Sequence, residues 1–153
     1  MNSITLAMPI NHTVTVICDG KNITNVVFDM KICDEPDSLC RLAADQISEY
    51  FAGKRKRFSL PYDISSLGTP FFRSILTAVT TIPYGERITY AKAAELAGSG
   101  AVRACGSALK RNPLPIIIPC HRIVPASGGT GNYMGGQGND IKAFLLELEE
   151  KYK

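Results

Sequence analysis

The sequence predicts an α/β protein in two parts: a small antiparallel sheet carrying one helix, then a mostly helical part with a helix-turn-helix. Three observations predict it. Short β-type runs with turn signals occupy the first 30 residues, helical patterns dominate after residue 68, and two short helical patterns are joined by Gly98-Ser99-Gly100.

Ile4 to Met8, Thr13 to Cys18 and Ile23 to Asp29 read as strands, with Asp19-Gly20 as a hairpin turn between the last two. Asp37 is placed to cap a helix reaching Phe51, because Leu39, Leu42, Ala43, Ile47 and Tyr50 recur at helical spacing and Gly53 follows as a stop. Lys54 to Ser66 carries a basic cluster (Lys54 to Arg57), Pro61 and Ser65-Ser66, and reads as a solvated connection. The expected boundary is near Gly68, giving domains 1–67 and 68–153.

Thr69-Pro70 starts the next helix, with proline at its first position and Phe71, Phe72, Ile75, Leu76 and Val79 as its buried stripe. Pro83-Tyr84-Gly85 ends that segment. Thr89 caps a short helix to about Ala97, and a second helix runs from Ala101 to about Arg111, giving the helix-turn-helix. Asn112-Pro113 stops it, Ile116 to Ile118 is a short buried run, and Gly128 to Gly138 is a glycine-rich loop. The last helix, Asp140 to about Lys151, buries Ile141, Phe144, Leu145 and Leu148.

With 45% hydrophobic residues the chain can bury a sizeable core, yet no run approaches the length that spans a membrane. Met1 to Met8 lacks the basic flank and apolar run of a signal peptide, so the expected compartment is the cytoplasm. Five cysteines without a C-x-x-C pair fit reduced thiols better than a disulfide framework. Eight Lys/Arg balance eight Asp/Glu up to Leu76, whereas between Leu96 and Asn139 there are four cations (Arg103, Lys110, Arg111, Arg122) and no carboxylate. Such a stretch suits a surface that meets an anion, although a solvated face reads the same way.

Cys120 is followed by His121, one of two histidines. A free cysteine reacts as the thiolate, and an imidazole that takes its proton is the usual activating partner. Neighbouring side chains diverge, so a bridging water is expected between them. Ala101, Ala104, Cys105, Gly106, Ser107 and Ala108 make the second helix of the pair unusually slim, as a helix entering the narrow minor groove requires; close packing in a core would require the same.

Pro119-Cys120-His121-Arg122, preceded by Asn112-Pro113-Leu114-Pro115 and followed by Gly131-Asn132-Tyr133-Met134-Gly135-Gly136, resembles the active-site region of the O6-alkylguanine-DNA alkyltransferases. The likeness runs from about Gly68 to Glu149; the first 65 residues share only the expected layout, which in that family is ribonuclease-H-like. The resemblance implies direct-reversal repair, in which the O6-alkyl group of guanine in duplex DNA, and also that of O4-alkylthymine, moves irreversibly to Cys120. It further implies a monomer that binds through the minor groove, one turnover and no cofactor.

Carried over residue by residue, the resemblance makes Cys120 the acceptor, His121 its base, and Glu149 the carboxylate that orients His121. Asn112 braces the active-site turn, and Tyr90 bonds the guanine and crowds the neighbouring phosphate. Arg103 enters the base stack, with Ala104, Gly106 and Lys110 also on the DNA face. Tyr133, Met134, Pro115, Gly131 and Ile123 form the pocket. Cys105, Gln137 and a shorter turn before Arg103 depart from the family pattern. Some relatives hold zinc, but His12, Cys18, Cys33 and Cys40 match no compact zinc spacing, so no metal is expected. The alternatives are a lesion-binding protein without transfer, a cysteine hydrolase, and a helix-turn-helix transcription regulator.

Overall fold

The computed structural model describes every residue except Lys31, Cys33 and Gln137, so the expectations placed on Cys33 and Gln137 lie outside the described residues. The chain divides into two compact units, Met1–Asp63 and Ile64–Lys153.

In the first unit, β1 (Asn2–Ala7), β2 (Thr13–Cys18) and β3 (Ile23–Phe28) form an antiparallel sheet in that order. Val14, Val16, Ile23 and Val26 are buried, and α1 (Ser38–Phe51) packs against β1 and β2. The Asp37 side chain accepts from the Cys40 backbone amide, the cap that starts α1 where expected. Leu42 does not join the buried stripe. It is 45% exposed, while Gln46 takes an inner position, bonding Ser59 through both ends of its amide. Helical spacing alone does not distinguish a stripe residue from one just beyond its edge.

The second unit contains α2 (Pro70–Val79), β4 (Ile88–Thr89), α3 (Tyr90–Leu96), α4 (Val102–Leu109), β5 (Ile123–Val124) and α5 (Asn139–Tyr152). The Thr69 and Thr89 side chains accept from the amides of Phe72 and Lys92, fixing the starts of α2 and α3. Ile75, Leu76, Val79, Ala93, Ala94, Ala108, Ile118, Ile141 and Leu145 form the core between these helices. Phe71 and Phe144 are only half-buried.

Two features were not anticipated. β4 and β5 pair in parallel, Ile88 with Ile123 and Thr89 with Val124. Each has only two residues, too few for a period of two to be read. Their pairing sets the start of α3 beside the chain that leaves Cys120. The Ile116 to Ile118 run is buried as expected, but Ile116 has φ +73°, a left-handed backbone that is unusual for a β-branched residue. No helix among the described residues is long and apolar enough to cross a membrane.

The Thr69 cap precedes a proline that also favours the helix start. Thr69→Ala should therefore lower stability by about 1 kcal/mol without moving the helix. Thermal unfolding followed by circular dichroism checks this, and an unchanged midpoint would show that Pro70 alone fixes the start of α2.

Candidate active site

Cys120 opens a one-turn helix, Cys120–Arg122, and is 5% exposed. Ahead of it, Asn112 holds the turn that contains Ile116. Its Nδ2 donates to the Ile118 carbonyl (2.9 Å) and its Oδ1 accepts from the Leu114 amide (2.9 Å), while the Ile118 amide donates to the Leu114 carbonyl (2.7 Å). A left-handed Ile is tolerated only where its surroundings over-determine it, and these three bonds supply that constraint.

Behind Cys120 lies a buried ionic network. His121 is fully buried, and its Nε2 is 2.6 Å from Glu149 Oε2. Arg122 Nε and Nη2 donate to the two Glu149 oxygens (2.8 and 3.1 Å), and the Gly85 amide donates to Oε1 (3.0 Å). Arg122 Nη1 donates to the Ile82 carbonyl at 2.6 Å, and the guanidinium lies over the Tyr84 ring. Burial works to raise the Glu149 pKa, but His121 and Arg122 outweigh it and hold the carboxyl well below its usual range. An ionised Glu149 can only accept a hydrogen bond, so Nε2 carries the hydrogen and neutral His121 has its lone pair on Nδ1. That atom is buried and has no hydrogen-bond partner among the described residues. Burial also lowers the His121 pKa, which keeps the imidazole neutral and able to accept a proton near pH 7.

Burial pushes the Cys120 thiol up, opposed by the Asn112 amide, the Lys142 charge and the Tyr133 hydroxyl. Lys142 is 1% exposed and donates to the carbonyls of Ile123 (2.7 Å) and Asn132 (3.3 Å). Burial pulls its pKa down to about 8, with Cys120 acting in the opposite direction, so it stays protonated near neutrality. The Tyr133 phenol is pushed well above its usual value, first by burial and then by Cys120.

Cys120 lines a cavity of about 530 Å³ together with Tyr90, Arg103, Gly106, Lys110, Gly131, Tyr133 and Met134. Thus seven of the residues expected at the site meet Cys120 there. Asn112, His121 and Glu149 support it from behind, and Ala104 is exposed on α4 beside Arg103. Pro115 and Ile123 are buried but do not line the cavity. Ile123 instead takes part in the parallel pair, offering its carbonyl to Lys142. Gly131 has φ +72°, and a Cβ there would stand 2.9 Å from the Pro125 ring and 3.5 Å from the Tyr90 hydroxyl, so glycine is needed for both backbone and space.

Sequence reasoning missed the roles of Arg122 and Lys142. Arg122 stood as one cation in a carboxylate-free stretch and as the end of the Cys120 motif, with no role of its own. Lys142 sits between Ile141 and the apolar positions of α5, and a lysine at the edge of a buried stripe was the available signal.

Fold and site together define a protein with a buried thiol, Cys120, backed by a histidine–carboxylate pair in a cavity whose lining also carries the cations Arg103 and Lys110. The sequence model of the 6-O-methylguanine DNA methyltransferase DNA-binding domain matches residues 70–151, more than half the chain. The constitutive methylated-DNA–protein-cysteine methyltransferase of Bacillus subtilis is 50% identical over 108 residues, 70% of this chain and 64% of that one. The Methanosarcina acetivorans methylated-DNA–protein-cysteine methyltransferase is 40% identical over 138 residues, 86% of each chain. Among solved structures, Mycobacterium tuberculosis OGT in complex with DNA superposes with a TM-score of 0.85 at 36% identity, covering 99% of this chain and 94% of that one. The chain belongs to the methylated-DNA–protein-cysteine methyltransferase family. It matches just under two thirds of the length of the Bacillus subtilis relative.

Removing the Glu149 charge would leave Arg122 buried without its anion. Glu149→Gln should lose roughly 3–5 kcal/mol of stability at neutral pH. Because the folded pKa is depressed, the contribution of Glu149 is fully present above the unfolded value near 4.5 and fades as pH falls toward the folded value. Urea unfolding at neutral pH and at about pH 3 should show a smaller acid loss in Glu149→Gln than in the native chain. Equal losses would mean that the carboxylate is not the acid-sensitive group.

Proposed function

We propose that this protein repairs DNA by moving the O6-alkyl group of a damaged guanine onto Cys120 and is consumed in doing so. The observation that carries this reading is the placement of Cys120 in one cavity with Tyr90, Tyr133 and Arg103, while the His121–Glu149 pair stands behind it. The family membership and the relative captured with DNA support the same reading.

The thiol is neutral at rest, so its proton must leave as the reaction begins. His121 Nδ1 accepts it through a water, and Glu149 stabilises the imidazolium formed. Lys142 and Asn112 favour the resulting thiolate. The sulfur then attacks the alkyl carbon in line, the carbon–O6 bond breaks, and its electron pair goes to the guanine. The Tyr90 hydroxyl donates to that developing charge. The product is a thioether, and none of these groups hydrolyses a carbon–sulfur bond, so each molecule acts once.

O6 of a stacked guanine is out of reach of a buried thiol, so the nucleotide must rotate into the cavity, at a cost of a few kcal/mol. We infer that α3 and α4 act as a helix-turn-helix whose second helix enters the minor groove. Gly106, which lines the cavity beside Tyr90, adds no side chain to this helix, and that suits a close approach. Arg103, exposed in the first turn of α4, fills the gap left by the rotated base, and exposed Lys110 meets phosphate.

Intact mass before and after mixing with a duplex containing O6-methylguanine tests the reaction. The native chain should gain one methyl group, stoichiometrically, whereas Cys120→Ser should gain none yet still bind the duplex. Peptide mapping that placed the methyl on Cys105, or turnover that continued past one equivalent, would overturn the assignment.

Arg103→Ala should slow repair of O6-methylguanine in a duplex but leave reaction with free O6-benzylguanine near normal, because the free base needs no unstacking. Single-turnover rates on both substrates check this. An equal slowing on both would make Arg103 a support of the cavity rather than the inserted side chain.

A further inference from the structure

Among its described residues the first unit holds two thiols that alkyl transfer leaves unused. Cys18 closes β2, Cys40 lies in the first turn of α1, both are fully buried, and their Sγ atoms are 2.8 Å apart. Two separate local features aim them at each other. The β2–β3 pairing slips between Ile17 and Cys18, and such a bulge redirects a side chain. The Asp37 cap fixes the backbone of Cys40.

The separation discriminates between two fates. A disulfide needs an S–S distance of about 2.05 Å, while two thiolates on one tetrahedral zinc, each at about 2.3 Å, stand roughly 3.8 Å apart. The pair is already closer than zinc would hold it. Asp37 lies near both sulfurs, but its oxygens accept from the Cys40 amide (2.8 Å) and Asn2 Nδ2 (2.9 Å), so it is engaged as a cap.

We propose that Cys18 and Cys40 form a site of reversible oxidation that closes to a disulfide when a peroxide is the oxidant. In the first step one sulfur attacks a peroxide oxygen: an S–O bond forms, the O–O bond breaks, and water leaves after proton transfer. In the second step the other sulfur attacks the first, so the S–S bond forms, the S–O bond breaks, and a second water leaves. Two thiols lose two electrons and one hydrogen peroxide gains them. Burial raises both thiol pKa values, so the first step is slow at neutral pH and quickens as pH rises. Closure is fast because the partner sulfur is adjacent. The bond links positions 22 apart, β2 to α1, and removes freedom from the unfolded chain.

The test is to treat the full-length protein with hydrogen peroxide, block the remaining thiols, and map peptides without reduction. A Cys18–Cys40 linked pair is expected, with a loss of two hydrogens from that pair and a rise in Tm on the order of 5–10 °C. Dithiothreitol should reverse both, and Cys40→Ala should show neither. Linkage of Cys33 to Cys40, or no linkage at doses that oxidise other cysteines, would overturn the proposal. So would one tightly held zinc per chain that Cys18→Ala releases. If Cys40→Ala fails to fold, the peptide map of the native chain still decides.

Discussion

A carboxylate taken out of water must be compensated on nearly every lone pair, and Glu149 meets that demand with four donors from two other segments. His121 and Arg122 come from the turn after Cys120, Gly85 comes from the segment between α2 and β4, and Glu149 itself projects from α5. Since a buried charge left half-satisfied costs more than an apolar replacement, these segments must assemble together. The requirement that stabilises the charge also fixes the orientation of the imidazole. Arg122 then carries the constraint onward by donating to Ile82, at the end of the α2 segment.

A second buried charge works on the other face of the nucleophile. Lys142 ties the carbonyls of Ile123 and Asn132 together, joining the parallel pair to the glycine-rich loop beneath Tyr133. α5 therefore supplies both an anion and a cation to the surroundings of one cysteine, seven residues apart and on the same helix face. The parallel β4–β5 pair places Tyr90 against this assembly, and Tyr90 lies close to Gly106 of α4. The slim helix and the thiol thus meet at one cavity, with Tyr90, Gly106 and Cys120 all in its lining.

Much of this was legible because it rests on local chemistry. Asp37, Thr69 and Thr89 are side chains that cap helices in any context, and all three cap the helices expected of them. The Cys120 region was legible because its residue pattern is long. What escaped depends on contacts between distant segments. Arg122 and Lys142 are cations that composition assigns to the surface, and their burial follows only from acceptors contributed by Glu149, Ile82, Ile123 and Asn132. Leu42 erred in the other direction, an apolar residue at correct spacing whose place is taken by Gln46 bonded to Ser59. Pro115 and Ile123 were carried to the cavity by the resemblance, but one lies in the tightly wound Asn112 turn and the other is buried in the parallel pair.

The state of the resting thiol follows from the balance of these forces. Burial alone would keep Cys120 protonated, and the Lys142 charge, the Asn112 amide and the Tyr133 hydroxyl only partly offset it. Under the proposed reaction this balance is useful, because a permanent thiolate in an open cavity would react with any small electrophile. A neutral thiol becomes reactive when a proton acceptor and a correctly placed alkyl carbon are present together. In the proposed reaction His121 is the first, its tautomer fixed by Glu149, and a base rotated into the cavity brings the second. On that proposal reactivity is set by occupancy of the cavity rather than by the acidity of the free thiol, which suits a reaction that consumes the protein.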